Sequence, residues 1–149
     1  MSQSFARLYV HVIFSTKNRE RVLHESVRDD LYAYMGGILN TLGCTPLTIG
    51  GIEDHVHILL ILNRNTALAD VMETLKRRTS KWLRQRAPFY LNFAWQEGYG
   101  AFTVSESMTD NVRQYILNQE QHHHKKTFAE EFKAFLDAYH IDYDPRYLP

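Results

Sequence analysis

Pro46-Leu47-Thr48-Ile49-Gly50-Gly51-Ile52-Glu53-Asp54-His55-Val56-His57-Ile58-Leu59-Leu60-Ile61-Leu62 decides the fold. Pro46–Ile52 and His55–Leu62 are two strand-forming runs, and Glu53-Asp54 between them is a tight turn, so the segment reads as a β-hairpin. Upstream, Leu8–Phe14 is β-branched and aromatic, with His11 inside it, and reads as a first strand. The polar, basic Thr16–Arg21 follows as a loop. From Glu25 to Leu42, Val27, Leu31, Tyr34, Met35, Ile38 and Leu42 recur at three and four, which predicts a helix with one buried face. Gly43 stops it.

Downstream of the hairpin, Thr66 is the expected N-cap of a second helix. Its stripe is Leu68, Val71, Met72, Leu75, Thr79, Trp82 and Leu83, and Pro88 ends it. Leu91–Trp95 and Ala101–Val104 read as extended pieces around Gly98-Tyr99-Gly100. Ser105 or Ser107 can cap a third helix running through Val112, Ile116 and Gln119 to about His123. A last helix carries Phe128, Phe132, Phe135, Leu136 and Tyr139. The order β-α-β-β-α-β, then helices, predicts an α+β chain. Its form is the ferredoxin-like split β-α-β antiparallel sheet with helices on one face, plus a C-terminal helix that bears the chemistry. With no repeat or linker, residues 1–149 read as a single domain. The fold alone implies no function.

Composition excludes several classes. The chain is 44% hydrophobic and 23% charged, enough for a core. Lys+Arg and Asp+Glu are 17 each, so any nucleic-acid site must come from local clustering rather than from bulk charge. Cys44 is the only cysteine, which rules out an intramolecular disulfide and a four-cysteine zinc site and points to a reducing cytoplasm. The longest apolar run, Ile58–Leu62, is far too short to span a bilayer, so a soluble protein with no membrane partner is expected.

Asp54-His55-Val56-His57 is the first chemical signal. Residues i and i+2 of a strand share a face, so two imidazoles there can reach one metal ion. Spacing alone is weak: eight histidines in 149 residues give about 0.4 His-x-His triplets by chance, and the sequence holds two. The first lies in an apolar strand, where a polar face costs energy unless it is used. The plain alternative is a pair of sheet-face histidines bonded to backbone or solvent. The second, His122 and His124, sits near a helix end, where i and i+2 diverge, and reads as a solvated terminus.

The helix Asn111-Val112-Arg113-Gln114-Tyr115-Ile116-Leu117-Asn118-Gln119 is the second signal. Tyr115 and Gln119, at i and i+4, stack on one helical face. Were that face to meet the histidine strand, Gln119 could offer a carboxamide oxygen to the same ion, with the Tyr115 hydroxyl beside it. A core tyrosine is the plain alternative. Six of the 17 basic residues, Lys76, Arg77, Arg78, Lys81, Arg84 and Arg86, fall within eleven positions. Arg77, Lys81 and Arg84 share a face that can follow DNA phosphates or simply be solvated. Lys17, Asn18, Arg19 and Arg21 form a second basic loop, and Lys125 and Lys126 a third group.

These signals resemble the HUH single-tyrosine transposases of small bacterial insertion sequences. The resemblance is carried by His11 with Ser15-Thr16-Lys17, by Gly51-Ile52-Glu53-Asp54-His55-Val56-His57-Ile58-Leu59 and by Leu75-Lys76. It continues through Trp95-Gln96-Glu97-Gly98-Tyr99-Gly100-Ala101-Phe102-Thr103-Val104-Ser105, Tyr115-Ile116-Leu117-Asn118-Gln119 with His122-His123, and Phe128 with Glu131. It implies that His55, His57 and Gln119 bind Mg²⁺ or Mn²⁺. It also implies that Tyr115 attacks single-stranded DNA, leaving a 5′-phosphotyrosine and a free 3′-hydroxyl. It further implies a homodimer acting on DNA with subterminal hairpins; from the basic clusters, Lys17, Arg19, Lys76, Arg77, Lys81 and Arg84 are the residues expected to contact its backbone. Gly98 and Gly100, ahead of the tyrosine helix, could let the chain swing. Three other readings stay open: a domesticated regulator that grips hairpins without cutting, a hydrolase using the histidines with Glu53 or Asp54, and a replication initiator or relaxase.

Overall fold

Alternation along four strands sorts the sheet into two faces. The computed structural model describes residues 3–123 and 126–148. His124 and Lys125, raised above, lie outside the described residues, as does the side chain of His122. The strands are β1 (Leu8–Ser15), β2 (Thr45–Gly51), β3 (His55–Leu62) and β4 (Gly100–Thr103). They form one antiparallel sheet in the order β2-β3-β1-β4. β1 and β2 run the same way with β3 between them, which is the expected split β-α-β.

On one face, Val10, Val12 and Phe14 of β1 and Val56, Ile58 and Leu60 of β3 are buried. They form one core with α1 (Glu25–Thr41) and α2 (Leu68–Arg86). The helix periodicity predicts this: Leu31, Met35, Ile38 and Leu39 of α1 and Val71, Met72 and Leu75 of α2 all enter that core. Gly43 ends α1 as expected, with a φ of 76° that places it in the left-handed region.

The opposite face carries His11, Ile13 and Ser15 of β1 opposite Leu59, His57 and His55 of β3. Helices cover it as well. α3 (Thr109–Leu117) lies over β2, where a Cβ on Gly50 would come within 2.8 Å of the Ile116 carbonyl oxygen. α5 (Phe128–Ala138) packs Phe128, Phe132 and Leu136 against Ile13 and Phe102. The histidine strand therefore runs in a slot between two helices.

Four local expectations give way. Leu91–Trp95 is not a strand. Only Trp95 pairs, in an isolated bridge to Thr16, while the Leu91 and Phe93 amides bond back to Pro88 O at 3.1 Å and Tyr90 O at 3.0 Å. Its two aromatic residues fill the core instead, with Trp95 4.8 Å from both the Phe14 and the Phe93 rings, while Leu91 is exposed. Ala67, not Thr66, occupies the N-cap position of α2, with no side-chain bond. Neither Ser105 nor Ser107 caps the third helix; a short 3-10 turn, Glu106–Met108, leads into α3. That helix also breaks at Asn118 (φ −99°, ψ 22°) before α4 (Gln119–His122) begins. Gly100 belongs to β4, and its missing side chain makes room for the Phe132 ring, 2.9 Å from where a Cβ would sit. Among the described residues, no helix is long and apolar enough to cross a membrane.

Candidate active site and metal centre

His55 and His57 are both 0% exposed, and their ring centroids are 5.0 Å apart. The other nitrogen of each ring is engaged from outside. His55 Nδ1 lies 2.7 Å from Asp54 Oδ1, so it carries the proton and donates to the carboxylate. Its Nε2 then faces inward, 3.1 Å from Gln119 Oε1. His57 Nδ1 lies 2.8 Å from His11 Nε2, and its own Nε2 faces inward, 2.9 Å from Glu131 Oε1. His123 Nε2 approaches Gln119 Oε1 at 2.9 Å and Glu131 Oε2 at 3.2 Å. The Tyr115 hydroxyl donates to Glu131 Oε2. Gln119 is oriented by its own amide, which donates to the Tyr115 carbonyl at 3.2 Å across the helix break.

Burial dominates the electrostatics and is answered differently at each ring. It would lower His55, but the bonds to Asp54 and Glu131 and their charges raise that imidazole to about 9. His57, with Glu131 only partly offsetting burial, is lowered to about 4. His11 is lowered to about 3 by burial and by His57. Burial would raise Glu131, yet bonds from His123, His55 and His57 hold it far below the usual carboxylate range. Burial and the charge of Glu131 push the Tyr115 phenol up, so it rests protonated.

The ligand-capable atoms of His55, His57, His123 and Glu131 all lie within 4.8 Å of one another. Imidazole nitrogens with a buried carboxylate make a donor set suited to a divalent transition ion, and the oxygen donors suit Mn²⁺ or Mg²⁺. The residues present fit such an ion. The outer bonds from Asp54 and His11 are of the kind that fix which nitrogen a metal-bound histidine presents.

Comparison with known proteins sets this geometry in a family. Residues 4–119 match the family model described as "Transposase IS200 like". The chain belongs to the IS200-like transposase family. It is 28% identical over 118 residues to the ISDra2 transposase TnpA of Deinococcus radiodurans, covering 76% of this chain and 84% of that one. A crystal structure of a transposase from Deinococcus radiodurans superposes with a TM-score of 0.62 at 27% identity, over 80% of this chain and 98% of the other. The REP-associated tyrosine transposase bound to a REP hairpin shares the fold, with a TM-score of 0.54 at 11% identity over 78% and 67% of the two chains.

In this IS200-like transposase chain, four expected site residues come together: Tyr115, His55, His57 and Gln119. The carboxylates of the hydrolase reading do not join them. Asp54 meets the outer nitrogen of His55, and Glu53 turns away to Arg21 at 3.7 Å. The centre instead receives Glu131 and His123, to which the sequence reading assigned no role. One signal could have exposed Glu131: it stands within the apolar stripe Phe128, Phe132, Phe135 and Leu136, three residues after Phe128, where a lone acid must be buried. Gln119 is the last residue the family model matches, so both added donors lie beyond it.

The expected DNA-contacting residues fall into two groups. Lys76 turns inward, its ammonium donating to Gln96 O at 2.9 Å and to Gly98 O, and burial lowers it to about 8. Arg84 donates to Phe93 O at 3.1 Å and Arg77 pairs with Glu73 at 3.0 Å, while Lys81 is exposed. All four stand on α2, across the sheet from the histidines. Arg19, Arg21 and Lys126 line a cleft with Asp54 and His123, and Lys17 and Arg19 line the neighbouring one.

Proposed function

We propose that this chain cleaves and rejoins single-stranded DNA at insertion-sequence ends through a covalent 5′-phosphotyrosine. Tyr115 is the nucleophile, and His55, His57 and Gln119 hold Mg²⁺ or Mn²⁺. The supporting observation is convergence: the Tyr115 hydroxyl and the inward nitrogens of both histidines meet one buried carboxylate, and the Gln119 carboxamide oxygen stands 3.1 Å from the inward nitrogen of His55. Family membership supplies the transposase function, and the hairpin-bound relative supports hairpin DNA as the partner. The working unit is a homodimer, as the resemblance implies.

When bound, the ion polarises the scissile phosphate. Asp54 and His11 keep both histidines turned toward it. Tyr115 Oη forms a bond to phosphorus, and the bond from phosphorus to the 3′-oxygen breaks. The phenol loses one proton and the departing 3′-hydroxyl gains one, so the step balances without an added reactant. The phenolic proton already points at Glu131 Oε2. One phosphodiester has become another, so a 3′-hydroxyl can reverse the step and reseal the strand.

Incubation with labelled single strands from both flanks of the gene, with Mg²⁺ or Mn²⁺, tests this on a denaturing gel. A protein-sized adduct that needs metal and vanishes in Tyr115→Phe is expected. Cleavage that persists in Tyr115→Phe without an adduct would remove the tyrosine mechanism. Hairpin binding with no cleavage would favour the non-cutting regulator.

A further inference from the structure

We propose that Glu131, supplied by α5 with His123 ahead of it, is a ligand of the divalent ion, so that the chain beyond residues 4–119 completes the metal centre. The inference rests on the reading that the histidine cluster binds such an ion. Three observations carry it.

The first is distance. Two donors each about 2.1 Å from one ion sit roughly 3.0–3.4 Å apart. Glu131 Oε1 lies 2.9 Å from His57 Nε2 and 3.5 Å from His55 Nε2, and Glu131 Oε2 lies 3.2 Å from His123 Nε2. Glu131 Oε1 thus stands within about 0.1 Å of coordination spacing from the inward nitrogens of both strand histidines, with Oε2 beside His123.

The second is burial. Glu131 is 1% exposed, and an ionised carboxylate in such a place needs a compensating positive charge. A divalent cation held among the three imidazoles around it would provide that charge. The third is rigidity. α5 is pinned to the sheet by Phe128, Phe132 and Leu136, and its N-cap Thr127 accepts from the Glu130 amide at 3.2 Å. The carboxylate is therefore delivered by a packed helix rather than by a loop. With Oε1 on the ion, Oε2 still holds the Tyr115 hydroxyl, so one side chain sets the distance between nucleophile and metal.

The test is Mn²⁺ binding to the full chain without DNA, by titration calorimetry and by loss of the free-ion electron paramagnetic resonance signal. Wild type is compared with Glu131→Gln, Glu131→Ala and Asp137→Asn, the last removing an exposed charge from the same helix. Metal-free thermal melts separate folding from binding. The expected result is Mn²⁺ affinity weakened about 10- to 100-fold or more in both Glu131 variants. Asp137→Asn should be unchanged, and Glu131→Gln, although its metal-free melt drops with the lost histidine bonds, should stay cooperatively folded at the titration temperature. Unchanged affinity in Glu131→Gln would overturn the assignment and leave the proposed function standing. Tighter Mn²⁺ binding in Glu131→Ala would overturn it too, making the carboxylate a plug that competes with the ion. Failure of wild type to bind Mn²⁺ would overturn both this inference and the metal-dependent reading beneath it.

Discussion

Asp54 and His11 form no bond to DNA in the proposed reaction, yet each decides which nitrogen a neighbouring histidine presents. A ring free to rotate would offer its ion the wrong edge part of the time, and the outer hydrogen bond removes that freedom. Asp54→Ala should therefore weaken Mn²⁺ binding about 10- to 100-fold, measured by calorimetry, with His55 and His57 both intact. Equal affinity in the variant would mean that strand packing alone orients His55. The pair His55 and His57 was legible in the sequence because strand periodicity puts i and i+2 on one face. His123 was not. Near a helix end its neighbours read as a solvated terminus, and only the break at Asn118 sends its ring back to the centre. Glu131 is among the residues that carry the family resemblance, but its place among the imidazoles depends on how α5 lies across β1 and β4.

At the scale of elements, α3 reaches its place because β2 has no side chain at Gly50. A methyl group there would meet the Ile116 carbonyl oxygen at 2.8 Å and its Cγ2 at 2.9 Å. Tyr115 precedes Ile116, so lifting the helix moves the nucleophile. Gly50→Ala should destabilise the protein by about 1–3 kcal/mol, read from a urea midpoint. It should also slow adduct formation by on the order of 100-fold, in proportion to the displacement. A normal cleavage rate in a destabilised variant would show that α3 can shift without moving the hydroxyl. Helices α1 and α2 and the hairpin followed their periodicity closely, since each buries one continuous apolar face. Leu91–Trp95 did not, because aromatic residues are needed equally by a strand and by a loop folded into a core.

Across the whole molecule, the sheet separates two sets of cations. Lys17 and Arg19 lie near the histidine slot, whereas Arg77, Lys81 and Arg84 lie behind the sheet on α2. Removing Lys17 and Arg19 together should lower the slope of log affinity against log salt for a short single strand by about 1.4. The triple change on α2 should leave that slope unaltered and weaken only a hairpin whose stem reaches around the sheet. An equal loss of short-strand binding in both variants would remove this division. The sequence by itself determined the order of elements and the split β-α-β sheet, because periodicity is a local property; spacing offered four of the converging side chains as candidates, and the family resemblance, not spacing, singled them out. Only the tertiary structure decided that a carboxylate from α5 enters the centre, that His123 joins it, that Asp54 works from outside and that Lys76 turns inward. Those outcomes depend on which helix covers which strand, and that is settled by long-range packing, which no window of residues contains.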